Sequence, residues 1–95
     1  MKNRPLRFTG VIYKEGRKYN SICLELDVAS FGATSANAKR MLQEAVTLYL
    51  ETAIGQNLPY LRPISPSENP LQAFPQDVVD TFDLDVNVHL IAHAA

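Results

Sequence analysis

Residues 32–51, GATSANAKRMLQEAVTLYLE, constrain the fold more than any other stretch of this chain. Thr34 or Ser35 stands where a side-chain oxygen can accept from a free amide of a first helical turn. Behind it Ala38, Met41, Leu42, Ala45, Val46, Leu48, Tyr49 and Ala53 recur at helical spacing on one broad face. Lys39, Arg40, Gln43, Glu44, Thr47 and Glu51 fall on the other. The pattern predicts a helix over 34–54, ending at Ala53 or Ile54 with Gly55 just past it as a C-cap. Ala36 and Asn37 put no acid in the first turn, so the helix dipole gains no support there. A helix with such a face needs an apolar surface to lie on.

The preceding residues supply strands. In 6–13, LRFTGVIY, Leu6, Phe8, Gly10 and Ile12 alternate with Arg7, Thr9, Val11 and Tyr13. A polar turn at 14–17 contains Gly16, and a second strand is expected over about 18–26. There Asn20, Ile22, Leu24 and Leu26 alternate with Tyr19, Ser21, Cys23 and Glu25, so the two runs form an antiparallel hairpin. Val28, Ala29 and Phe31 suit a brief third strand after a turn near Asp27. Phe31 is read either as an exposed contact residue or as a plug in the core.

Five of the six prolines, Pro59, Pro63, Pro66, Pro70 and Pro75, fall within 55–79 and exclude a helix or central strand there. Leu58, Tyr60, Leu61, Ile64, Leu71 and Phe74 give this loop more apolar side chains than a linker carries, so it is expected to dock on the domain or on another subunit. A last strand is expected over 80–91. Phe82, Leu84, Val86, Val88 and Leu90 face the helix, and Asp83, Asp85, Asn87 and His89 face away. The predicted class is α+β, in the order β-β-β-α-β. With the last strand beside the first, a crossover through the helix should be right-handed and the pair parallel. Arg7 would then share a face with Asp83 and Asp85.

Composition bounds the rest. A chain of 95 residues is one domain, able to bury about 60–65% of its unfolded surface. No apolar run approaches a membrane span, and MKNRPLRF does not read as a signal peptide. One cysteine, Cys23, excludes an intramolecular disulfide and any metal site of several thiolates, and suits the cytoplasm. Net charge is −1, but residues 1–18 hold six bases and one acid (+5), and 19–95 three bases and nine acids (−6). The split reads as a basic first strand beside an acidic last one. A basic arm for nucleic acid, with Tyr13 and Tyr19 as a stacking platform, is the alternative.

Reactive constellations are sparse. A two-metal nuclease needs converging carboxylates, yet 6–13 has no acid, Glu44 looks outward and Asp83 and Asp85 lie opposite the core. Cys23 with His89 as base lacks an orienting group, and reads as a small hydrophobe. His89 and His93 are too far apart on a strand to share a metal. No catalytic residue, metal or cofactor is expected.

The stretch LELDVAS at 24–30, then Gly32 and Thr34, then EAVTLYLE at 44–51, resembles the HicB family of type II antitoxins over about residues 6–54. The resemblance implies one HicB-like domain over 1–95 with a partial ribonuclease-H-like fold: strands over 6–32, the helix, the loop and a last strand beside the first. It implies a non-catalytic antitoxin that occludes a small RNA-cleaving toxin of the HicA kind. Family members often carry a C-terminal DNA-binding domain, for which these residues leave no room, so a short form without autonomous DNA binding is expected. The expected contact surface is the open sheet face with the acidic strand: Tyr13, Tyr19, Glu25, Phe31, Asp83 and Asp85. Self-association as a dimer or tetramer is expected as well. A weak nucleic-acid or small-ligand binder using the basic hairpin is the competing reading.

Overall fold

The computed structural model describes residues 6–87. Strands β1 (Leu6–Glu15), β2 (Lys18–Cys23) and β3 (Val28–Gly32) lead into helix α1 (Ser35–Gly55). A long segment with two short helical turns, α2 (Pro70–Ala73) and a 3-10 turn (Pro75–Asp77), then leads to β4 (Val78–Val86). The sheet has the order β3-β2-β1-β4, with every neighbouring pair antiparallel. The portion of the expected last strand from 88 to 91 lies outside the described residues.

Leu6, Phe8, Leu84, Val86 and Cys23 line the face that α1 covers, where they meet Leu42, Val46 and Leu50. The helix is buried along Ala38, Leu42, Val46, Leu50 and Ala53. Leu50 is thus central to the buried stripe, although the apolar face expected from the sequence omits it. Met41 and Leu48, assigned to that stripe, are exposed instead. Near Gly10 and Gly32 the layers approach closely. A Cβ on Gly32 would stand 2.6 Å from the Ala38 backbone nitrogen, and one on Gly10 would stand 2.4 Å from the Phe82 ring. The Phe82 ring, opposite Gly10 in the β1–β4 register, fills the place of the missing side chain.

Thr34 caps the helix, its hydroxyl accepting from the Asn37 amide at 3.0 Å. The other end differs from expectation. Gly55 is the last helical residue, Gln56 is the C-cap, and Asn57 takes the left-handed conformation at φ 56°. Asn57 N–H donates to the Ile54 carbonyl and Leu58 N–H to that of Ala53, a Schellman closure in which Asn serves in place of Gly. Asp27 (φ 54°) likewise reverses the chain between β2 and β3, shortening β2 relative to the expected 18–26.

Three expectations about faces and direction are corrected. β4 runs antiparallel to β1, not parallel, because 56–77 traverses the whole sheet before β4 begins. Arg62 and Ile64 N–H donate to the Glu25 and Leu24 carbonyls at one end. Phe74 packs edge-on against Tyr13 at the other, with ring centroids 5.0 Å apart. Second, the face opposite the helix is not open at its centre: Val11 and Ile22 are buried there, under a strap whose Pro70 is itself buried and whose Phe74 packs on Tyr13, whereas Tyr60 packs on the helix-side core. Leu58, Leu61 and Leu71 remain exposed. Third, β2 has the opposite phase. Its pairing puts Cys23 beside Gly10 on the helix face, and Leu26 reaches the core from the turn.

The Gly32–Ala38 contact yields a direct test. Gly32→Ala must push α1 off β3, and the expected loss is about 1–3 kcal/mol in chemical denaturation, while Gly16→Ala, whose Cβ meets nothing, changes only local backbone strain.

Candidate partner-binding surface

β4 is an edge strand of the sheet, and among the described residues no strand pairs with its outer side. Thr9, which faces Asp83 in the register, spends its N–H on Glu25 and its carbonyl on the Leu24 amide, toward β2. Main-chain groups of one residue point to the same side and alternate along a strand. Asp83, with Thr81 and Asp85, therefore directs its N–H and C=O away from the sheet. Gln43 confirms the direction, donating from Nε2 to the Asp85 carbonyl at 2.9 Å.

The side chains at this edge are sorted by face. Asp83 and Asp85 lie on the side away from the helix, and Arg7 binds Asp85 through Nε at 2.7 Å. On the helix side Asp80 pairs with Lys39 at 3.4 Å, and the Lys39 ammonium also stands 4.5 Å from the centre of the Phe82 ring. Between edge and helix runs a shallow groove of about 650 Å³, lined by Ser35, Ala36, Lys39, Arg40, Gln43, Phe82 and Asp83. An open strand beside such a groove can take an extended segment by strand addition, with the carboxylates favouring a basic one.

The six residues expected to form one surface do not come together. Asp83 and Asp85 share the β4 edge. Phe31 is 61% exposed on the opposite edge, β3, which settles it as a surface residue rather than a plug. Tyr13 is half-buried under Phe74, and burial, then Glu15, raises its pKa. Glu25 is turned inward: its carboxylate accepts from the Thr9 N–H and hydroxyl, both at 2.8 Å, and lies 3.9 Å from the Cys23 sulfur. Tyr19 lies across the hairpin from Lys14, on the helix side, with the Lys14 ammonium over its ring. The lysines bear on the nucleic-acid reading, since Lys14 over Tyr19 and Lys18 over Phe31 occupy the ring faces that bases would stack on. Lys39, Arg40, Gln43 and Phe82 are surface members that sequence reasoning missed. Their signal was the 39/43 helical spacing together with the residue opposite Gly10.

Nothing at the edge is arranged for bond-making. Cys23 is buried, and desolvation pushes its thiol up to about 11, leaving it protonated and inert near neutrality. It faces the core, and His89, the base considered for it, lies outside the described residues. Glu44 sits on the solvent side of α1 and Asp83 and Asp85 on the far side of the sheet. No group of three or more His, Cys, Asp or Glu side chains placed to hold a metal occurs among the described residues. No helix of the described residues is long and apolar enough to cross a membrane.

The fold has known counterparts. The crystal structure of the Burkholderia pseudomallei antitoxin HicB matches 95% of this chain and 73% of its own, at 21% identity and a TM-score of 0.64. The crystal structure of the N-terminal domain of that antitoxin matches 90% of this chain and all of its own, at 25% identity and a TM-score of 0.57. No family model and no curated protein matches the sequence.

The Arg7–Asp85 pair sets a pH signature. The Arg7 hydrogen bond holds the Asp85 carboxyl below its ordinary value of 3.8. A depressed carboxyl stabilises the fold above its unfolded pKa, and that contribution is lost as pH falls through the folded value. In an NMR titration Asp85 should therefore protonate below pH 3.8, and Arg7→Gln should return it toward the ordinary value.

Proposed function

We propose that this HicB-like domain is an antitoxin that neutralises a small, basic, RNA-cleaving toxin of the HicA kind in the cytoplasm, by covering its active surface and without chemistry of its own. The fold shared with the B. pseudomallei antitoxin and its N-terminal domain supports the antitoxin role. The observation that carries the mechanism is the β4 edge. Its outward main chain at Thr81 and Asp83 is free to pair, and two carboxylates flank it on one side. Complementary charge steers a basic partner to that edge, and main-chain pairing then holds it. Of the six residues first expected at the interface, Asp83 and Asp85 are assigned to it. Tyr13 and Glu25 support the fold beneath, and Tyr19 and Phe31 lie elsewhere.

Co-expression with a small basic RNA-cleaving toxin of the HicA kind tests the reading. The wild-type chain should restore growth and co-purify with that protein. Asp83→Lys combined with Asp85→Lys should weaken binding by at least about tenfold and flatten its dependence on salt, with the circular dichroism spectrum unchanged. Full neutralisation by the double variant would remove the β4 edge from the interface. Failure of the wild-type chain to bind any such protein would remove the antitoxin role.

A further inference from the structure

The open length of β4 is bounded at both ends. Beyond Asp80 the register with β1 shifts: Ile12 faces Asp80 and Tyr13 faces Val78, so Val79 is an extra residue in the edge strand. A bulge of this kind breaks the ladder and bends the strand, which stops regular pairing there. At the other end the Asp85 carbonyl is taken by Gln43. Between these stops the outward N–H and C=O groups are those of Thr81 and Asp83. A strand added here meets a short window, and the two stops set its register.

The charges around that window are sorted by face. On the helix side Lys39 is answered by Asp80 at 3.4 Å. Arg40, the next residue of α1, is exposed and makes no ion pair among the described residues. It lines the groove together with Phe82. On the far side Asp85 is answered by Arg7 at 2.7 Å, whereas Asp83 makes no ion pair among the described residues. One unanswered cation and one unanswered anion thus stand on opposite faces of the same edge, over the consecutive residues Phe82 and Asp83.

We infer that the segment accepted by β4 carries a carboxylate next to a base, the acid directed into the groove toward Arg40 and the base lying beside Asp83. Successive side chains of a strand point to opposite faces, and directly opposed residues of neighbouring strands share a face. The partner residue across from Asp83 therefore lies on the side away from the helix, and its neighbour across from Phe82 enters the groove. An adjacent acid and base answer both charges in one register. Base before acid gives an antiparallel strand, and acid before base a parallel one. The inference rests on the reading of β4 as the partner-binding edge, and narrows the occupant from a basic partner to a segment of alternating charge.

Charge tells against the simpler occupants. A uniformly basic strand would set a cation against Arg40, with the Lys39 ammonium close by over the Phe82 ring at 4.5 Å. A uniformly acidic strand would oppose Asp83 directly, where like charges destabilise a strand pair. An apolar side chain in the groove would meet the Phe82 ring but leave Arg40 unanswered. Only a segment that changes sign from one residue to the next meets both faces, and such a requirement gives selectivity among basic partners as well as attraction.

Two capped peptides titrated into the isotope-labelled chain test it by NMR: Val-Thr-Lys-Glu-Lys-Thr-Val, and the same sequence with lysine in place of the central glutamate. Both should shift the Thr81 and Asp83 amides. The first should bind at least about threefold more tightly, the scale of a solvent-facing ion pair, although the second carries more positive charge. Arg40→Glu should reverse that preference, and Asp83→Lys should weaken both peptides. Equal or weaker binding of the first peptide, or a preference that survives Arg40→Glu, would overturn the charge pattern while leaving β4 as the edge that is bound. No shift at Thr81 and Asp83 with either peptide would overturn the inference and the β4 edge together, and growth rescue in co-expression reports on the antitoxin role separately.

Discussion

The structure depends on the strap formed by 56–77. Its main chain docks at one end of the sheet, through the amides of Arg62 and Ile64 on the carbonyls of Glu25 and Leu24. Its Phe74 closes on Tyr13 at the other end. A helix of the length of α1 already returns the chain once along the sheet. The strap carries it back a second time, and so β4 enters beside the hairpin end and runs against β1. Prolines suit the task, because Pro70 and Pro75 each open a short helical turn where an amide would have no intrahelical partner.

Everything proposed for the edges follows from that reversal. Running antiparallel, β4 sets Asp85 against Arg7 and Asp80 beneath Lys39. The basic beginning and acidic end of the chain are thereby joined within one pair of strands. The same placement leaves β4 and β3 as the two outer strands of the described sheet, one acidic and partly capped by Gln43, the other uncharged. A charged edge resists pairing with its own copy and complements a basic surface.

The sequence was most legible where one physical pattern acts alone. Thr34, the 3–4 spacing of apolar residues and the alternation Phe82–Asp83–Leu84–Asp85 gave the helix, its cap and the sidedness of β4. The pairing of Arg7 with the acidic strand followed from the charge split once the last strand was placed beside the first. Failures came where two signals competed. Ile22, Leu24 and Leu26 looked like the core phase of β2, but the strap buries the far face as well, so an apolar residue there says nothing about which face it occupies. Leu48 carries the right type at the wrong angle, and Leu50 was passed over beside it. Gly55 suggested a helix stop that Asn57 provides. Strand direction was beyond local pattern, since it depends on where a proline-rich loop crosses. Among the candidate contacts, Glu25 misled because the Thr9 amide it satisfies is adjacent only in space.

Amide hydrogen exchange at Arg62 and Ile64, measured against Leu24, tests the strap most directly. The Leu24 amide bonds the Thr9 carbonyl within the sheet and reports its opening. If the strap is part of the fold, the Arg62 and Ile64 amides exchange slowly and open together with Leu24, as one cooperative unit. Exchange of both at the rate of a free peptide, with Leu24 still protected, would show that the strap does not hold β4 in place.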